Sequence, residues 1–194
     1  MNWLAHLFLS EPDPAFRIGN LLPDFVRVHT LTGLSLQFQR GIQCHLKIDR
    51  FTDSHPIVRK SIQRFSPPYR RYAGILVDVF YDHFLARDWP SHSSTPLPAF
   101  ALAVYESFDA FVSEIPSEVR VRLLQMRDDN WLCSYGDASG ISNALRRISA
   151  RLRKPFDLAG SVSLLEDHYD AFGRDFDEFF PQLREHLAIA GSAH

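Results

Sequence analysis

The sequence predicts an all-α, compact single-domain helical bundle. Three observations carry that prediction: apolar residues recur at helical spacing along most of the chain, no run alternates as a strand does, and proline-rich stretches separate the periodic segments. With 194 residues, 45% of them hydrophobic and 16 of them Phe, the chain can bury one sizeable core, so a single domain over 1–194 is expected.

Trp3, Leu4, Leu7 and Phe8 mark the first helical face. In GNLLPDF, Asp24 follows Pro23, where the chain is expected to leave helical geometry and turn a carboxylate inward. Leu34, Phe38, Ile42 and Leu46 define a long helix, and Ile57, Val58, Ile62 and Phe65 the next. Asp53 and Ser54 ahead of Pro56 read as that helix's start, because such side chains cap free N–H groups and Pro is tolerated in a first turn. SPPY at 66–69 ends it, a helix from about 69 to 87 follows, and the prolines of WPSHSSTPLP make 90–98 a loop. Further helices are expected near 99–114, 117–129, 140–153 and 161–188, with Pro116 and Ser117 marking a restart.

Several classes are disfavoured. A formal charge of -2 averages an acidic C-terminal third against local basic clusters and so says little about partners. Basic residues are not interleaved with aromatic ones and no reading-helix motif occurs, so no nucleic-acid partner is expected. Cys44 and Cys133 form neither a disulfide framework nor a thiolate metal site, which suits a reducing cytoplasm. The opening MNWLAHLFLSEPDP has neither a signal peptide's basic start nor a spanning length, so no membrane association is expected.

The chemistry concentrates in the N-terminal half. Six of the nine histidines (His6, His29, His45, His55, His83 and His92) precede residue 93, with Asp24, Asp49, Asp53, Asp78 and Asp82 among them. Helical side chains four apart share a face, which pairs His45 with Asp49 and Asp78 with Asp82. Each residue has an ordinary role open to it: His6 as a hydrogen-bonded core histidine, Asp49 paired with Lys47 or Arg50, Asp78 with Arg71 or another arginine, Asp53 as a cap. Collectively, acids and histidines amid apolar helices point to a metal site. Imidazole and carboxylate without thiolate suit Mn²⁺, Fe²⁺, Mg²⁺ or Zn²⁺.

MNWLAHLFL, IGNLLPDFVR, GIQCHLKIDRFTDSHP, RRYAGILVDVFYDHFLARDW and the later DHYD together resemble the acyl-carrier-protein phosphodiesterases over nearly the whole chain. That family is similar to the HD-type metal-dependent phosphohydrolases. The resemblance implies hydrolysis of the phosphodiester joining 4′-phosphopantetheine to a serine of holo-acyl carrier protein, assisted by a divalent metal, usually Mn²⁺, with Mg²⁺ or Fe²⁺ as alternatives. Asn2, His6, Asn20, Asp24, His45, Asp49, Asp53, Asp78, Asp82 and His83 stand where the family's motif expects polar residues. One departure is Phe8, where the family often has a second histidine; positions 6 and 8 diverge by about 200° on a helix, so they are not expected to share a metal.

On this basis Asp24, His45, Asp82 and His83 are expected as metal ligands, Asp49 or Asp78 as the group that orients a ligand histidine or accepts the water's proton, and His6 as a supporting group or general acid. An acidic carrier protein calls for a basic docking surface. ALRRISARLRKP offers Arg146, Arg147, Arg151, Arg153 and Lys154, unless these pair with the acidic helix DHYDAFGRDFDEFF; Arg59, Lys60, Arg64, Arg70 and Arg71 form a second patch. The alternatives are a phosphohydrolase acting on a nucleotide or a small phosphopantetheine compound, and a carrier-protein binding module without turnover. Oligomeric state is left open by the sequence.

Overall fold

The computed structural model describes residues 1–27, 32–111 and 115–191; His29 lies outside them. Among the described residues there are twelve α-helices, joined by short turns, and no strand. The helices are α1 Trp3–Phe8, α2 Pro14–Phe25, α3 Leu36–Ser54, α4 Pro56–Gln63, α5 Ala73–Arg87, α6 Trp89–His92, α7 Leu97–Phe108, α8 Ser117–Asp128, α9 Trp131–Ser134, α10 Ala138–Ser149, α11 Val162–Asp167 and α12 Tyr169–Gly191. The all-α expectation holds, and no helix among the described residues is long and apolar enough to cross a membrane.

α5 is the central element. It buries residues on every side, from Leu76 and Val77 through Phe80 and Tyr81 to Phe84 and Leu85, as a helix enclosed by others must. α12 lays Phe172, Phe176, Phe179, Phe180 and Leu183 against this core, all fully buried.

Local corrections follow from how termini are satisfied. The helix containing Pro23 does not end there: α2 runs on to Phe25, so Asp24 sits within its last turn. The cap of α4 is His55, whose Nδ1 accepts from Ile57 N at 3.4 Å, while Asp53 and Ser54 still belong to α3. The 90–98 tract is not all loop, because Pro90 and Pro98 fall in the first turns of α6 and α7, where a missing N–H costs nothing. The 161–188 segment breaks at His168 into α11 and α12, and the 140–153 helix ends at Ser149.

α2 and α3 meet backbone to backbone. A Cβ on Gly19 would lie 2.3 Å from Phe38 O, and one on Gly41 2.1 Å from Phe16 O. Only glycine permits that approach, and it brings Asn20 of α2 against His45 of α3.

α4 and α12 are joined by a polar network around Asp175, which is 1% exposed. Its carboxylate accepts from Ser61 Oγ at 2.7 Å, from Lys60 Nζ at 2.9 Å and from Arg64 Nη1. Burial works to raise its pKa, but the hydrogen bonds from Arg64, Lys60 and Ser61 outweigh it and hold it below the usual carboxylate range. A lowered folded-state pKa gives stability that is complete above the unfolded value, about 3.9, and lost as pH falls through the folded one. Asp175→Ala should therefore cost about 3 kcal/mol at neutral pH. The difference from the parent should shrink in urea titrations repeated below pH 4; a pH-independent difference would contradict this account.

Candidate metal centre and the adjoining pocket

Three side chains from two helices converge. The His6 and His45 rings stack with centroids 4.2 Å apart. Asp49 lies across their edges, Oδ1 at 3.3 Å from His6 Nε2 and Oδ2 at 3.0 Å from His45 Nε2. Ligand atoms of these three residues all fall within 4.8 Å of one another, and this is the metal-compatible group of His, Cys, Asp and Glu among the described residues. His45 and Asp49 share a face of α3 four residues apart, while His6 reaches them from α1.

Asn20 fixes both rings. His6 Nδ1 faces Asn20 Oδ1 at 3.0 Å, and His45 Nδ1 faces the Asn20 carbonyl at 2.7 Å. The Asn20 amide nitrogen donates to His6 O and Ser10 Oγ, so its oxygen is the acceptor and each Nδ1 must carry the proton. In neutral rings this leaves both Nε2 lone pairs aimed at the Asp49 carboxylate, with Met1 O also 3.2 Å from His6 Nε2. Acceptors facing acceptors repel unless a proton or a cation lies between them. A divalent cation resolves the conflict, and two imidazoles with one carboxylate are an established donor set for metals that keep open coordination positions.

Where a proton rather than a cation lies between them, hydrogen bonds from His45 and His6, with the Met1 ammonium, outweigh burial and hold the Asp49 carboxyl well below the usual range. His45 is opposed by burial, yet the bond to Asp49 and the charges of Asp24 and Asp49 raise it overall.

The remaining expected residues sit around this centre in other roles. Asp78 pairs with the buried α-amino group of Met1 at 2.9 Å, not with Arg71, and that ammonium is also 3.9 Å from Asp49 Oδ1. Asp24 accepts from Trp3 Nε1 at 2.8 Å. Together Asp24, Asp78, Met1, Trp3 and Arg151 line a cavity of about 320 Å³ next to the centre. Arg151, just beyond the end of α10, lies over the Trp3 ring at 5.4 Å. Trp3 stacks on Trp131 at 5.2 Å, and Trp131 in turn carries Arg147 at 4.1 Å. Arg146 is exposed and donates to Asn143 Oδ1. This aromatic stack left no mark in the sequence, where Trp3 reads only as part of the first apolar face.

Asp82 and His83, expected as ligands, are occupied elsewhere. Asp82 is fully buried and accepts from the backbone N–H of Leu4 at 2.7 Å and of Ala5 at 3.2 Å, so α5 caps the otherwise uncapped start of α1. Burial pushes its carboxyl up to about 7 despite those bonds. His83 Nδ1 donates to Tyr135 O at 2.8 Å and its Nε2 accepts from Tyr169 Oη at 2.7 Å, which uses both nitrogens. Asp53 is exposed. Phe8 turns away from His6 and packs edge-on against Trp89 at 5.2 Å. Asp82→Ala should lose about 2–4 kcal/mol of stability, because two buried N–H groups lose their acceptor. Mn²⁺ affinity measured by calorimetry should stay close to the parent's; a collapse of affinity in a folded variant would return Asp82 to the metal.

Fold and site thus define an all-helical protein with a two-histidine, one-carboxylate centre beside a cavity lined by an arginine and two aspartates. The model of the family described as acyl carrier protein phosphodiesterase matches residues 1–183, and the chain belongs to that family. It is 33% identical to an acyl carrier protein phosphodiesterase of Pectobacterium atrosepticum, with 95% of this chain and 96% of the relative covered. Against the protein of the same name from Photorhabdus laumondii identity is 33%, covering 95% and 94%, and against that of Salmonella agona it is 35%, covering 97% and 98%. No solved structure matches, so the likeness to HD-type phosphohydrolases has no structural neighbour behind it.

Proposed function

We propose that this protein is a metal-dependent phosphodiesterase that cleaves the 4′-phosphopantetheine–serine linkage of holo-acyl carrier protein, giving apo-carrier and 4′-phosphopantetheine. Family membership supports the substrate; the observation that carries the metal dependence is the pair of Nε2 lone pairs turned on the Asp49 carboxylate.

In this reading His6, His45 and Asp49 hold the cation, which supplies positive charge for the phosphate and a water acidic enough to attack near neutral pH. Mn²⁺ suits a set of imidazole and carboxylate donors, as do Fe²⁺ and Mg²⁺. Asn20 keeps both imidazoles in the Nδ1–H form and aims Nε2 inward. Arg151, resting on the Trp3 ring, binds a phosphate oxygen in the adjoining cavity. Asp24 and Asp78, which both line that cavity, are the groups that accept the proton of the attacking water or return it to the leaving serine oxygen. Exposed Arg146 steers an acidic carrier toward the mouth of the site.

The test is mass spectrometry of holo-carrier protein incubated with this protein and Mn²⁺. The carrier should lose the mass of the phosphopantetheine arm, and chelation should stop the loss. Cleavage of coenzyme A with the carrier left intact would instead favour a small-molecule phosphohydrolase. Carrier binding without cleavage under Mn²⁺, Fe²⁺ and Mg²⁺ would make it a binding module.

A further inference from the structure

A second cleft, of about 720 Å³, opens on the far side of the two helices that build the metal centre. That volume lies within the range of small-molecule sites, about 300–1,000 Å³. Arg40, Cys44 and Lys47 line it from α3, on a face turned about 100–160° from His45. Phe8 contributes from α1, about 200° from His6. The cleft is therefore separate from the candidate centre, though the same helices wall both.

Its chemistry is that of an amphiphile site. Phe8, Phe16, Leu36 and Leu187 supply an apolar lining, and Leu36 is 70% exposed, a large side chain with nothing to cover it among the described residues. Three cations stand along the same walls: Arg40, Lys47 and Arg184. Against them is a single acid, Glu11, already paired with Arg40. Lys47 has no ion pair among the described residues, and Arg184 lies over the Phe8 ring at 5.7 Å. Burial pushes the Cys44 thiol up to about 11, so it adds no negative charge to the cleft. An apolar trough with an excess of positive charge in a chain of net charge -2 complements one ligand class, a long alkyl chain ending in a carboxylate.

We propose that this cleft binds a long-chain fatty acid, its chain along Phe8, Phe16, Leu36 and Leu187 and its carboxylate between Lys47 and Arg184. The site does not depend on the proposed activity.

Titration with the fluorescent fatty acid cis-parinaric acid, followed by displacement with palmitate, tests it. Saturable one-to-one binding is expected, unchanged in Asp49→Ala. Leu36→Glu and the double variant Lys47→Glu/Arg184→Glu, all at side chains on the cleft surface, should each weaken binding about tenfold or more. Methyl palmitate, without the charge, should compete at least about tenfold less well than palmitate. Palmitate should slow maleimide labelling of Cys44, but not of Cys133, in intact-protein digests. Absence of saturable binding, full binding by folded charge variants, or equal competition by the methyl ester would each overturn the proposal. So would a dimer in sedimentation that the charge variants convert to monomer, since a second copy of the chain would then fill the cleft.

Discussion

Asp49→Ala should lower turnover of a holo-carrier substrate by about 10³-fold, since losing the only carboxylate of the centre removes several kcal/mol of charge stabilisation and each 1.36 kcal/mol is tenfold. The fold should survive. Asp49 lies within α3, its side chain is 40% exposed, and Ala is the best helix former. Without Asp49 the two Nε2 lone pairs no longer face a carboxylate, so the variant should bind Mn²⁺ far more weakly in calorimetry while circular dichroism and Tm stay near the parent's. Turnover within tenfold of the parent, in protein shown to be folded, would remove the His6–His45–Asp49 centre from the reaction.

Gly41→Ala should have the larger effect on the fold. Its Cβ would sit 2.1 Å from Phe16 O, 2.8 Å from Asn20 N and 3.0 Å from Gly19 C, all backbone atoms of α2 that no rotamer change can move. The helices must separate, and the cost belongs at the top of the overpacking range, about 3 kcal/mol or more. For a chain of this size that lowers Tm by about 10 °C. Separation also draws Asn20 away from His45 Nδ1, so metal affinity should fall along with stability. Gly74→Ala is the control: it lies in the first turn of α5 with nothing within 4 Å of a Cβ, and should be neutral or stabilising by up to about 1 kcal/mol. A Gly41→Ala protein as stable as the parent would contradict the close α2–α3 crossing.

These two variants act on different links of one chain of cause. Gly19 and Gly41 set the distance between α2 and α3, that distance sets the Asn20 bonds, and those bonds set which nitrogen of His6 and His45 faces Asp49. Asp49 is the end of the chain and Gly41 its beginning, which is why one variant should lose chemistry alone and the other both chemistry and stability.

The helical class and most helix extents were legible in the sequence because they rest on local patterns. Periodicity placed α3, α4 and α8 within a few residues, and spacing of four placed His45 and Asp49 on one face before any packing was known. Where a boundary depended on a proline, as at Pro23 or Pro90, the local rule misjudged it: α2 carries Pro23 in its last turn and runs on to Phe25, and Pro90 falls in a first turn that needs no donor. The grouping of acids and histidines in the N-terminal half was also visible, but their division of labour was not. Asp82 and His83 look like a ligand pair beside Asp78, yet one caps α1 and the other is held between Tyr135 and Tyr169. His6 joined the centre, and Arg151 the cavity, only when α1 and the end of α10 were brought to α3 and α5. By itself the sequence determined an all-helical chain with a histidine–aspartate pair on one helix. Tertiary structure alone decided which carboxylate meets a backbone N–H, an ammonium or two imidazoles, because a charged group takes its role from whichever partner the packing of distant segments places within about 3 Å of it.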